Sequence, residues 1–339
     1  MNFVVRPVAK KDLANLESLA SQFSLLNLPA DKKVISEKID HSISSFAGKE
    51  SIENSSYMFV TEDLENGWVV GSAQIKAQHG SEKNPTYSYK LSKKEMFSKS
   101  LGVGFIHQVL KLKVTTEGPT ELGGLVVHKS YRRRPEKVGK LTSLSRFVYI
   151  GMQPERFKND LHSEMAPPLT EDGRSEFWEA LGRRFTGMPY QEADALSHEN
   201  KEFIQSLFPK EEIYLALLDS KARLVLGRVS DQTAGALHLL TKIGFKDINE
   251  VDPFDGGPHL GVKKEEVTLI KNGRNLILNN KKSDTDKFEN FGLIGFISKE
   301  GIKISQSPYI EKDSEIILPE AVRTKLKLTG GEHIFLTNE

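Results

Sequence analysis

Residues 121–149, ELGGLVVHKSYRRRPEKVGKLTSLSRFVY, limit the folds open to this chain more than any other stretch. Leu122 to Val127 is a short apolar run, and the adjacent Val126 and Val127 suit a strand. A basic loop follows, interrupted by Pro135 and ending at Gly139. Leu141, Leu144, Phe147 and Val148 then recur at three and four residues, which predicts a helix with one buried face. The first amides of such a helix have no partner within it. Here a glycine and Arg132, Arg133, Arg134, Lys137 and Lys140 surround them. That arrangement suits a pyrophosphate, and coenzyme A carries one.

Composition narrows the partners. The formal net charge is +1, with 27% charged and 38% hydrophobic residues, so no broad field draws the chain to nucleic acid or a membrane surface. Any anion site must be local. There is no cysteine, which excludes disulfides, thiolate metal sites and a cysteine nucleophile, so thiol chemistry has to come from a cofactor. No metal is expected. No apolar run reaches membrane-spanning length and no leader pattern opens the chain, which points to the cytoplasm. At 339 residues there is room for one large domain or two.

Along the chain, residues 3–8 read as a strand, and Leu13, Leu16, Leu19 and Ala20 mark a helix. Pro29 and Asp31 precede a second helical pattern that Gly48 ends. Residues 57–62 and 68–76 form a hairpin about Asn66 and Gly67. Residues 79–100 are polar and read as a long loop or lid, and 105–114 as a strand. Residues 161–165 form the next strand, stopped by Pro167 and Pro168. FWEALGRRF forms one helix after Ser175, with Trp178 in the core. Residues 234–245 repeat a helix-to-strand turn, which suggests two similar halves. Residues 271–290 are polar and read as a linker or exposed hairpin. The tail gives strand, short helix after Pro319, a turn at Gly330 and Gly331, and a last strand. It resembles half of an AbrB-type swapped-hairpin barrel, which cannot close its own core and would dock on the main domain or a second subunit. Packing is favoured over DNA binding for it, given the near-zero charge. The expected division is 1–265 and a small β-rich region at 266–339, and a homo-oligomer is expected.

The strand, the arginine-bearing loop and the glycine-led helix resemble the acyl-CoA site of GNAT-type N-acyltransferases. VRPVAKKDL, ELGGLVV, LSRF, FWEALGRRF, LGRVSDQT, KIGF and DPFDGGP, spread over roughly residues 3 to 260, make the chain similar to the arginine N-succinyltransferase family. The resemblance implies an α+β, GNAT-like fold: a mixed, mostly antiparallel sheet flanked by helices. It implies transfer of a succinyl group from succinyl-CoA to the α-amine of L-arginine, in arginine catabolism. Leu125 is carried over for succinyl-CoA binding, on a strand that splays from its neighbour in the resembled fold. Val126, Val127, Arg132, Arg134, Lys137, Gly139 and Lys140 complete the expected cofactor contacts.

Two departures stand out. Lys137 occupies a place where the family pattern prefers glycine, and the loop before Gly139 is longer. The histidine of the family's G-x-V-H-x-x-T pattern is replaced by Ser230. A serine is a poor acid, but a thiol with a pKa of about 8.5 leaves readily as thiolate. Ser230 or Asp231 could relay a proton through water, with Glu164 also facing the site or a buried arginine, and His238 and His259 in reserve. Asp252 and Asp255 offer carboxylates for a guanidinium, unless they only cap their turn. Arg146 or Arg228 could meet the donor's succinyl carboxylate. Transfer to ornithine or another amine, and a non-catalytic CoA-binding regulator, stay open as alternatives.

Overall fold

The computed structural model describes residues 2–22, 30–281 and 287–338. Pro29 and part of the expected linker lie outside them. In chain order the strands are β1 (Phe3–Pro7), β2 (Ser56–Asp63), β3 (Val69–Lys76), β4 (Thr86–Ser98), β5 (Val103–Thr115), β6 (Thr120–Val127), β7 (Asp160–Glu164), β8 (Ile213–Tyr214), β9 (Lys246–Val251), β10 (Pro258–Lys263), β11 (Arg274–Leu278), β12 (Asn290–Ser298), β13 (Gly301–Lys312), β14 (Glu315–Ile317) and β15 (His333–Thr337). The helices are α1 (Leu13–Ala20), α2 (Lys32–Phe46), α3 (Val138–Met152), α4 (Glu176–Ala180), α5 (Gly182–Thr186), α6 (Tyr190–Glu199), α7 (Glu202–Leu207), α8 (Ser220–Val225), α9 (Ala234–Lys242), α10 (Thr268–Lys271) and α11 (Glu320–Leu326). This is the expected α+β content. Two compact units divide the chain, one of residues 1–78, 120–161 and 263–339, the other of 79–119 and 162–262.

In the first unit β1, β2, β3 and β6 lie side by side as antiparallel neighbours. Asp31 starts α2 by accepting from the amides of Lys33 at 2.8 Å and Val34 at 3.0 Å. Ile35 and Ile39 of α2 then meet Leu16 and Leu19 of α1 over Met58, Val60, Val69 and Val126 of the sheet. The β2–β3 hairpin turns at Asn66 and Gly67, as the sequence predicts.

Residues 266–339 build on the same unit. Strands β12, β15, β11, β14 and β13 neighbour one another in that order, and β12 pairs again with β13, so the five close on themselves. Their core includes Leu276, Ile294, Ile316, Leu326 and Leu336, with Val4 of β1 among them. Strand β13 pairs antiparallel with β1. The tail thus docks on the main body of its own chain. Within the expected linker, residues 274–278 form β11, which pairs with β14 and β15. So short a run, with only Leu276 and Leu278 buried, carries too weak a pattern to read.

Helix α3 departs from the one-sided burial its spacing predicts, because residues 141–150 are all buried. The N-terminal strands cover one side and β12, β13 and β15 approach the other. Glycines permit the approach: a Cβ on Gly295 would lie 2.6 Å from Met152 Sδ, and one on Gly151 would lie 2.5 Å from Phe335 Cζ.

In the second unit the strand order is β7, β10, β9, β4, β5, β8. The long loop predicted for residues 79–100 is instead mostly β4, a 13-residue strand paired along its whole length with β5. Tyr87 and Tyr89 are buried, as are Val109 and Leu110 of β5, but toward the tip residues 92–97 and 103–106 are exposed on both faces. With no buried side, the two-residue alternation that marks a strand disappears. The single helix predicted for FWEALGRRF is broken into α4 and α5 at Leu181, whose φ is −129° and ψ −75°. Next to the break the buried Trp178 ring lies so near Gly182 that a Cβ there would sit 2.3 Å from Cε3. The indole donates to Met188 O at 2.9 Å and stacks on Phe254.

Candidate active site

The first unit carries the strand, loop and helix. Along β3 and β6 the register runs Ser72 to Val126 and then Gln74 to Gly123, so Gly124 and Leu125 together oppose Ala73. This is a bulge of one extra residue, and Gly124 sits in it at φ +59°. The ladder with β3 is therefore interrupted at Leu125, which is half-buried, while Val126 and Val127 are buried.

In the loop, Arg132 Nε donates to Val127 O at 3.0 Å. Arg134 Nε donates to Ser130 O at 2.6 Å, and its guanidinium lies 4.0 Å over the Tyr131 ring. Both arginines brace the loop. Lys137 caps α3 in the left-handed region, at φ 51°, where a glycine would be unstrained. Its carbonyl accepts from Lys140 and Leu141, so the amides of Val138 and Gly139 are the first-turn donors facing outward from the helix ladder.

Arg146 is 2% exposed on α3. It donates to Ser143 O at 3.0 Å, Ser143 Oγ at 2.9 Å and Gly123 O at 3.2 Å, all neutral acceptors. Burial pulls its pKa down to about 10, so it remains a cation at neutral pH.

The second unit brings together residues far apart in sequence. Glu164 ends β7 with its Oε1 3.9 Å from His79 Nδ1 and 3.7 Å from His259 Nε2. The rings of His79 and His162 are 5.7 Å apart and those of His162 and His259 4.8 Å. These groups line a cavity of about 30 Å³ with Tyr87, Ser88, Thr115 and Glu250. Burial works against the Glu250 charge, yet Lys113 at 2.6 Å and Ser88 at 2.9 Å hold its pKa below the usual range.

Asp252 and Asp255 sit on the DPFDGGP turn. Asp252 Oδ1 accepts from the amides of Phe254 at 2.7 Å and Asp255 at 2.9 Å, and Asp255 Oδ1 accepts from Gly257 N at 2.8 Å. One oxygen of each thus shapes the turn. Burial, and after it the charge of Glu164, pushes Asp252 up to about 7. Burial and then Asp252 raise Asp255 well above the carboxylate range. Such crowded carboxylates favour a cation among them.

Ser230 Oγ lies 2.9 Å from Thr233 Oγ1, and the Ser230 carbonyl accepts from the amides that open α9. Asp231, Arg228 and His238 are exposed. Sequence reasoning missed His79 and His162. The alternation of His162 and Glu164 in DLHSE, on one face of β7, was the signal for the second.

Residues 3–269 match the family described as arginine N-succinyltransferase beta subunit. The chain belongs to that family. Among arginine N-succinyltransferases, that of Enterobacter sp. (strain 638) is 37% identical over 274 residues, which cover 80% of this chain and 79% of its own. That of Escherichia coli (strain K12 / DH10B) is 35% identical over the same shares. The solved structure of arginine/ornithine succinyltransferase subunit AI from Pseudomonas aeruginosa superposes with a TM-score of 0.84 at 26% identity, over 99% of this chain and 98% of that one. As a member of the arginine N-succinyltransferase family with an α+β fold, the protein is an acyltransferase that takes a CoA-type co-substrate. No helix among the described residues is long and apolar enough to cross a membrane.

Proposed function

We propose that this chain transfers the succinyl group of succinyl-CoA to the α-amine of L-arginine, releasing N2-succinylarginine and CoA. The family match over residues 3–269 carries the reading. The site chemistry agrees with it. Leu125 and its neighbours Val126 and Val127 hold the pantetheine arm beside the bulge. The amides of Val138 and Gly139 with Arg132, Arg134, Lys137 and Lys140 hold the pyrophosphate. Arg146, a buried cation bonded to neutral acceptors among the described residues, receives the succinyl carboxylate. Asp252 and Asp255 receive the cationic side chain, each through the oxygen its turn leaves over.

In the reaction the neutral α-amine attacks the thioester carbonyl, a C–N bond forms, the C–S bond breaks and CoA leaves as thiolate. The nitrogen's surplus proton passes to solvent, with Ser230 and Asp231 as the relay. Ornithine is the second acceptor in view, because the relative from Pseudomonas aeruginosa is described as an arginine/ornithine enzyme and its ammonium would suit the same carboxylates.

Thiol release from succinyl-CoA with arginine, ornithine and lysine in turn tests the reading. Release with arginine at a kcat/KM at least tenfold above the other amines is the expected result. Binding of succinyl-CoA without release for any amine would overturn the enzyme reading in favour of a CoA-binding regulator.

A further inference from the structure

The second unit gathers three imidazoles and a carboxylate around one small cavity, and the transfer reaction uses none of the imidazoles. His79, His162 and Glu164 each offer one ligand atom, all within 4.8 Å of one another, and Glu164 with His259 and Asp252 meets the same limit. The separations from Glu164 Oε1, 3.9 Å to His79 and 3.7 Å to His259, are too long for hydrogen bonds. They are close to the spacing of neighbouring ligands that share an ion with bonds of about 2.0–2.2 Å. His162 is 6% exposed, and its Nδ1 is buried without a hydrogen-bond partner among the described residues. A buried polar atom left so costs stability unless something binds it.

We propose that His79, His162 and Glu164, with His259 set against Glu164, form a binding site for a first-row divalent transition metal of the Zn²⁺ class. Imidazole nitrogen with one carboxylate oxygen and no thiolate is the donor set such ions take. The cavity of about 30 Å³ accommodates an ion and a water. Asp252, whose Oδ1 is held by the amides of Phe254 and Asp255, borders this set. The ion would tie the segment before β4 to β7 and β10.

The full chain, dialysed against EDTA, is titrated with ZnCl₂ and CoCl₂ without any substrate, so the result does not depend on the transferase reading. One equivalent of Zn²⁺ per chain is expected, with a rise in melting temperature and, for Co²⁺, the visible absorption of a four-coordinate ion. H162A and E164Q should weaken binding by roughly 100-fold or more, while H238A, at an exposed site on α9, binds as the wild type. Should H162A fail to fold, H79Q carries the same test. Absence of stoichiometric binding to the wild type, or wild-type binding by H162A or H79Q and by E164Q, would overturn the proposal.

Discussion

Arg146 shows how much one residue can be asked to do. Its guanidinium is removed from water and, among the described residues, bonded to the neutral Ser143 and Gly123, so its charge is a cost to the empty protein. R146M should therefore fold at least as stably as the wild type in a urea titration. Its KM for succinyl-CoA should rise tenfold or more, with little change for acetyl-CoA, which has no second carboxylate. Equal KM values for both proteins would remove Arg146 from donor recognition. The charge persists across neutral pH because its pKa, lowered by burial, still lies near 10. Ser230 sits at the opposite end of the scale, since its hydroxyl already meets Thr233. S230A should lower kcat by several-fold only, short of the roughly 100-fold or greater loss that follows removal of a true general acid.

Among the elements, α3 is the one whose behaviour depends most on its neighbours. Its sequence has one apolar stripe, but strands press on it from both sides, and Gly151 and Gly295 stand at two of the close approaches. G295A should destabilise the protein by about 1–3 kcal/mol in chemical denaturation, because Met152 and Val148 would have to move. A neutral result would mean the layers are looser than this. At the start of the helix, Lys137 holds a left-handed backbone that costs a residue with a Cβ roughly 1 kcal/mol. K137G should recover part of that in melting temperature, and any loss of succinyl-CoA affinity in the same variant measures what the lysine gives the phosphates.

For the whole molecule, the C-terminal strands matter more than their position at the end of the chain implies. They pair with β1 and cover α3. A chain stopped at residue 265 should lose the cooperative unfolding transition, since it bares an edge of the sheet and the buried surface of α3 around Val148 and Met152. Cooperative melting of that truncated chain near the wild-type temperature would instead establish residues 1–265 as a domain of its own.

Local chemistry decided much in advance. Two valines after two glycines, a basic loop and a helical repeat specify the strand, loop and helix; Asn66 and Gly67 specify a hairpin; Gly330 and Gly331 specify the turn before the last strand. These depend on backbone preferences and on patterns within a few residues, which a sequence displays directly. Only tertiary structure could decide that β4 is a strand, since beyond Tyr89 its residues are mostly exposed and it is held by pairing with β5. Only tertiary structure could break FWEALGRRF beside the Trp178 ring. The histidines reach Glu164 from opposite ends of the second unit's sequence, His79 and His259. No local pattern encodes such a meeting, because the register and order of the intervening strands fix it.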